Sequence, residues 1–356
     1  MVRFRNGWLV AVVALGLGAA ACKKNDDAKK SDPANDKVAD KTATGDKTPA
    51  KSDDKPAVMP INDQNSGDLA LLPVDSEIVM GLNIAQLQQS ALWKQFSPKL
   101  MDKMAGGLAD FKAACGFDPL EAVKSISIGM KGLGGGTPDG ALVIHGPDKA
   151  KVMGCTDKMK AEAAKNGSEV TIDGDVVLIK DKKGTNTAFT FVNDTTILGV
   201  VGAKGTKDGV KDAAKGASTL KSSATFVEMY SKIKTSDSLW MLMNGNSPAL
   251  SKMGSMGVKP KAIFGSINLS DGLTVDMRIR LASGDEASQF VTMAKGQTGN
   301  AQVKAMFDKL DVTSDGADAK IEVAMSNQKL QALIGMVGGM MGGMMGGGAG
   351  GGMGGP

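Results

Sequence analysis

EVTIDGDVVLIKDKKGTNTAFTFVNDTTILGVV, residues 169–201, decides the fold class. Apolar and polar residues alternate through 169–172, 175–179, 188–192 and 195–201, the pattern of strands with one face on a core. Gly174, Lys183-Gly184 and Asn193-Asp194 separate these runs and supply the turns of an antiparallel meander.

On the N-terminal side of this stretch, helical and extended patterns alternate. Residues 149–165 read as a helix, and 125–130 and 140–144 as strands around the glycine-rich loop that begins at Gly132. Leu100, Met104, Leu108 and Phe111 recur at three or four residues, which predicts a helix over 99–114. A separate helix is expected over 85–96, interrupted by Pro98, after a strand over 76–84.

The C-terminal side repeats this order more loosely. A helix is predicted over 224–233 and a strand over 238–243. Residues 262–269 and 273–281 form a hairpin across Ser270-Asp271-Gly272, residues 287–307 are helical, 319–325 extended, and 327–337 open a last helix. Helix, hairpin, helix and strands thus occur twice. The expectation is an α+β fold, an antiparallel sheet with helices packed on one face, built from a duplicated unit: residues 67–205 and then 206–335.

The two ends read differently from this middle. Arg3 and Arg5 precede an unbroken apolar or small stretch, Trp8 to Ala21, which has the parts of an export signal. It is shorter than the roughly 20 apolar residues needed to span a bilayer. Ala19-Ala20-Ala21-Cys22 closes it and resembles the lipobox of bacterial lipoproteins, with alanine where leucine is more usual. The resemblance implies removal of residues 1–21 and acylation of Cys22, which anchors the chain to a lipid bilayer. Several acyl chains hold stably where one binds reversibly, at about 0.8 kcal/mol per buried methylene. Lys23, in place of the aspartate that marks inner-membrane retention in enteric bacteria, points to the outer membrane, facing the periplasm or the cell surface.

Residues 22–66 then form a tether. Nine lysines and nine aspartates are interspersed between Lys23 and Ser66, with few large apolar residues, so the segment cannot bury enough surface to order itself. As a coil it would reach roughly 35–40 Å. At the other end, residues 336–356 are rich in glycine and methionine and read as a flexible tail.

Leu72-Pro73-Val74-Asp75-Ser76, Leu82-Asn83-Ile84 and Cys115-Gly116-Phe117-Asp118-Pro119 together resemble a group of uncharacterised bacterial lipoproteins over roughly residues 71–333. The shared motifs are structural turns, and no activity attaches to them.

Composition narrows the function classes. The net charge of +4 falls to +2 once Arg3 and Arg5 leave with the signal, too weak a field for nucleic-acid binding. One tyrosine and three tryptophans, one of them in the leader, provide no stacking platform for sugars or single strands. A single histidine, His145, excludes multi-histidine zinc sites. It ends a strand before Gly146-Pro147-Asp148 and reads as a turn residue bonded to backbone; a catalytic role would need an acid and a nucleophile beside it. The glycines match neither phosphate-binding pattern, and Asp271, Asp276 and Asp285 do not follow calcium-loop spacing.

With Cys22 acylated, Cys115 and Cys155 are an even pair in an oxidising compartment, and a disulfide is the economical reading. Two buried free thiols are the alternative. No metal site or cofactor is expected. The alternative rests on Met336, Met340, Met341, Met344, Met345 and Met353, thioethers of the kind that select Cu(I). The expected role is therefore non-enzymatic: an envelope component that binds an unknown envelope protein or a small apolar ligand. Copper handling through the tail and carriage of apolar ligands are the alternatives, and the last requires a cavity under the sheet.

Overall fold

The computed structural model describes residues 67–335, apart from 133–137, 166, 246, 248–249 and 251–257. The expected signal, Cys22, the expected tether and the methionines from Met336 onward lie outside the described residues.

After a 3-10 turn at Asp68–Ala70 the chain runs through β1 (Ile78–Asn83), α1 (Ile84–Gln89), α2 (Ala91–Cys115), α3 (Pro119–Ala122), β2 (Ser125–Lys131) and β3 (Asp139–His145). Two helices, α4 (Lys149–Gly154) and α5 (Thr156–Lys165), lead into the meander of β4 (Glu169–Asp173), β5 (Val176–Lys180), β6 (Asn186–Asn193) and β7 (Thr196–Val201). Then come α6 (Lys207–Ala214), a 3-10 turn (Leu220–Ser222), α7 (Ala224–Tyr230), β8 (Leu239–Asn244), β9 (Ala262–Asn268) and β10 (Leu273–Arg280). The chain closes with α8 (Gly284–Thr298), α9 (Ala301–Met306), β11 (Lys309–Asp315), β12 (Asp318–Met325) and a helix at 327–335.

The strands among the described residues all join one antiparallel sheet of 12, in the order β11-β12-β10-β9-β8-β1-β2-β3-β7-β6-β5-β4. The fold class is α+β, as expected, and the order explains the repetition seen in the sequence. β1, β2 and β3 are neighbours, and after two helices β7 returns beside β3; β8, β9 and β10 are neighbours, and after two helices β12 returns beside β10. The units meet back to back at β1 and β8, where Met80 lies opposite Met241. The register places the two sets of strands in matching rows. One row crosses the first unit as Asn83, Ser125, His145, Thr196, and the matching row crosses the second as Asn244, Ala262, Arg280, Asp318. Among the described residues the second unit has nothing matching β4 and β5. The units do not separate as domains, because they share a sheet and a core: Val79, Val143, Tyr230, Trp240 and Phe264 pack in one cluster.

The expectation of helices on one face needs correction. Strand alternation sends Val79, Ala141, Val143, Leu198 and Val200 to one face, where α6 and α7 cover them with Val210, Phe226, Met229 and Tyr230. Ile126, Ile128, Leu142 and Ile144 point to the other face, where α1 contributes Ile84. On that second face α5 covers β4 and α8 covers β11 and β12. Helices therefore lie on both faces. The cause is visible in the rows. In the first unit Leu198, Val143 and Ala141 require a cover; the matching places in the second unit are Lys320, Arg278 and Asp276, of which Lys320 pairs with Asp276 and Arg278 with Asp315.

Three further expectations change. α2 is capped by Ser90, whose hydroxyl accepts from the Trp93 N–H, and runs unbroken through Pro98. Pro98 is exposed, and the helix continues past the missing N–H. The helix expected over 149–165 is divided at Cys155, and the one over 287–307 at Gly299 and Asn300, the latter capping α9.

Candidate functional site

Face alternation brings four phenylalanines of a chain that has ten to one place. In β6, Phe189 and Phe191 are two residues apart and share the face that carries Ile144 of β3, Val177 and Ile179 of β5, and Ile197 of β7. Phe111 from the last turns of α2 and Phe117 beyond it meet edge to face, with ring centroids 5.1 Å apart, and stand over this floor. Pro119 and Ala122 of α3 extend one wall, while Val152, Met153 and Met159 from α4 and α5 supply the other.

Between floor and walls lies a partly enclosed pocket with a cavity volume of about 110 Å³. Its lining is almost wholly apolar, and its few polar groups are already engaged. The Thr156 hydroxyl donates to the Met153 carbonyl at 2.7 Å, and the Thr190 hydroxyl donates to Asp175. Val152, Met159, Phe117, Phe189 and Phe191 are only half-buried, so packing leaves apolar surface unfilled where these elements converge. A cavity of this size resembles, in order of magnitude, the dry apolar cavities of about 150 Å³ that admit one aromatic ring.

The walls are tied together covalently. Cys115 is the last residue of α2 and Cys155 the junction of α4 and α5; they are joined by a disulfide, with Cα atoms 5.1 Å apart. The bond holds the Phe111 wall against the Met153 and Met159 wall.

His145 sits beside the pocket and not in it, since its neighbours Ile144 and Pro147 line the cavity while its own ring lies on the opposite face. Backbone bonding was expected of it. Instead, Nε2 lies 2.8 Å from Asp68 Oδ1 and Nδ1 lies 3.1 Å from Thr196 Oγ1. An ionised carboxylate only accepts, so Nε2 donates to Asp68 and, in the neutral ring, Nδ1 accepts from Thr196. Acid, imidazole and hydroxyl in a line are the parts of a hydrolytic triad. However, Thr196 is only 5 % exposed, and a nucleophile must meet its substrate.

The matching row of the second unit clarifies the arrangement. In place of His145 and Thr196 stand Arg280 and Asp318. The guanidinium donates through Nε to Asp318 Oδ1 at 2.6 Å and through Nη2 to Oδ2 at 2.8 Å, and it also grips Glu228. Lys232 adds a bond to Asp318 at 2.8 Å. Burial works against the Asp318 carboxylate, yet the Arg280 and Lys232 bonds outweigh it and hold its pKa below the ordinary value. Glu228, bonded first of all by Arg280, is lowered as well, and Arg280 is pushed up by both acids. In each unit, then, an acid from the segment before the first strand reaches the third strand: Asp68 to His145, Glu228 to Arg280. A guanidinium cannot relay a proton, so what the two rows have in common is a clasp.

Among the described residues no group of three or more His, Cys, Asp or Glu side chains could hold a metal ion. The methionines from Met336 to Met353 lie outside them, as does Cys22. Nor is any described helix long and apolar enough to cross a membrane.

No family model matches the chain, and no curated protein matches it. Two solved structures are similar to it. Crystal form III of TP0453 is 8 % identical with a TM-score of 0.48, covering 75 % of this chain and 97 % of that one. Crystal form I of TP0453 is 10 % identical with a TM-score of 0.43, covering 76 % and 96 %. Likeness at this level carries no functional argument.

Proposed function

We propose that the chain is an envelope lipoprotein, anchored through acylated Cys22 to the outer membrane, that binds the apolar portion of a small ligand in the pocket beneath the Cys115–Cys155 bridge. The observation that carries this reading is the pocket: four phenylalanines converge on a cavity of about 110 Å³ with no free polar group in its lining. Left empty and dry, such a cavity costs at most about 3 kcal/mol, at roughly 24 cal/mol per Å³. A ligand that fills it recovers the missing contacts. The Asp68–His145–Thr196 row acts in this reading as a tie between the N-terminal turn and the sheet, and no reaction is assigned to it.

A series of straight-chain alcohols tests the proposal by calorimetry. Each methylene buried is worth about 0.8 kcal/mol, so affinity rises about fourfold per added carbon until the pocket is full and then levels off. Val152→Trp, which puts an indole into the cavity, removes the binding while the thermal transition stays within a few degrees. A wild-type chain that binds none of the series, or a Val152→Trp variant that binds it unchanged, overturns the reading.

A further inference from the structure

The charged residues on the segments that line the pocket are unequally paired. Asp175 reaches the lining, but its carboxylate faces the Thr190 hydroxyl at 3.4 Å and the Lys211 ammonium at 3.7 Å. Lys112 pairs with Asp118 at 3.7 Å, and Lys158 donates to the Ala114 carbonyl. Lys149 differs from these. It is the first residue of α4, its backbone fixed by a 2.9 Å bond from its N–H to the Asp194 carbonyl. Its side chain is half-buried, with the ammonium 6.0 Å from the centroid of Phe191, a lining ring. Among the described residues no carboxylate lies within ion-pair distance of it, and the adjacent Asp148 is occupied as the cap of α4, accepting from the Lys151 N–H.

An ammonium held against an aromatic face keeps part of its interaction with the ring, yet it has lost some water without gaining an anion. We infer that the ligand is a single-chain carboxylate whose alkyl part occupies the pocket and whose head pairs with Lys149. This rests on the pocket reading and adds the class of ligand to it. A neutral chain would fill the cavity equally well but leave Lys149 unpaired. A cationic head would be repelled by it. A head bonded to Lys149 would lie over the rim beside Phe191, with its chain directed along the Phe189 and Ile197 floor.

The experiment compares decanoate with decanol at pH 7 on the full chain, by calorimetry, for the wild type and for Lys149→Ala, Lys149→Arg and Val152→Trp, each first shown by circular dichroism to melt as the wild type does. A half-exposed ion pair is worth up to about fivefold in affinity. Decanoate is expected to bind about fivefold more tightly than decanol. Lys149→Ala abolishes that difference and leaves decanol unchanged, Lys149→Arg restores it, and added salt diminishes it. Equal wild-type affinities for the two, or a Lys149→Ala variant that retains the preference, overturn the assignment of the head while leaving the pocket intact. If neither compound binds, or if Val152→Trp binds both as the wild type does, the pocket itself is refuted. Loss of both compounds in Lys149→Ala assigns that residue to packing and overturns the head contact.

Discussion

Gly81→Ala places a methyl group at the seam between the two units. A Cβ at this position would lie 2.1 Å from Trp240 Nε1, 2.3 Å from Cε2 and 2.7 Å from Cζ2. Ordinary carbon contacts lie at about 3.5–4.0 Å, so the indole or strand β1 must move by more than an ångström. Neither is free to do so. Gly81 pairs directly with Trp240 across β1 and β8, and Trp240 is 1 % exposed and meets Tyr230 edge to face at 5.3 Å. Overpacking a tight core costs typically about 1–3 kcal/mol, and a contact this short places the loss near the top of that range. For a folded part of this size, about 3 kcal/mol corresponds to a fall in Tm of roughly 6–12 °C. Urea melts followed by tryptophan fluorescence and by far-ultraviolet dichroism would measure it. The decisive form is a double-mutant cycle with Trp240→Phe, which removes the three atoms that collide. The two losses should then combine to less than their sum by more than about 1 kcal/mol. An unperturbed Gly81→Ala variant, or strict additivity, would refute the close packing of the units through this pair.

Four other outcomes are expected. Asp318 and Glu228 have folded pKa values below their ordinary ones. Their contribution is therefore complete above the unfolded values and is lost as pH falls through the folded ones, so stability should decline below about pH 4. Asp318→Asn, which leaves Arg280 partly unpaired beside a fully buried position, should cost about 3–5 kcal/mol at neutral pH and flatten that decline in urea melts against pH. Removing the disulfide by Cys115→Ser with Cys155→Ser opens a loop of sequence separation 40 and should cost about 4 kcal/mol, with faster release of pocket ligand in stopped-flow displacement. Intact mass of membrane-extracted protein should show a diacylglyceryl group on a chain beginning at Cys22, lost in Cys22→Ser; an unlipidated soluble wild-type chain would remove the anchor from the account.

The meander was legible because its strands lie where alternation is sharpest. Glu169–Asp173, Val176–Lys180, Asn186–Asn193 and Thr196–Val201 depart from the sequence reading by only a few residues at their ends. Gly174, with φ of +66°, sits at the turn assigned to it. β11 was missed for the opposite reason. Lys309–Asp315 is an edge strand in which Val312 alone is buried, so its apolar pattern is too thin to register. α6 went unseen likewise, with Val210 as its one buried residue. The distribution of helices over both faces depends on which strand faces stay apolar after the sheet is assembled, and only the register reveals that.

The site was legible in part. Parity of the cysteines pointed to the bridge, and Phe189 and Phe191, two apart in a strand, could have been assigned to a common face. The pocket as a whole could not, because its lining comes from segments around Phe111, Val152, Val177 and Phe189 that only the fold brings together. The same holds for His145, whose partner Asp68 lies 77 residues away and entered no motif.

Methionine methyl groups report directly on occupancy of the pocket. Met153 and Met159 line the pocket, while Met293 and Met306 are exposed on α8 and α9 of the other unit. With 13C-methyl methionine and assignments from single Met→Leu variants, titration with decanoate should shift Met153 and Met159 along saturable curves with one common affinity, leaving Met293 and Met306 in place. Shifts confined to Met293 and Met306, or unspecific shifts at all four that never saturate, would contradict a ligand site beneath the Cys115–Cys155 bridge.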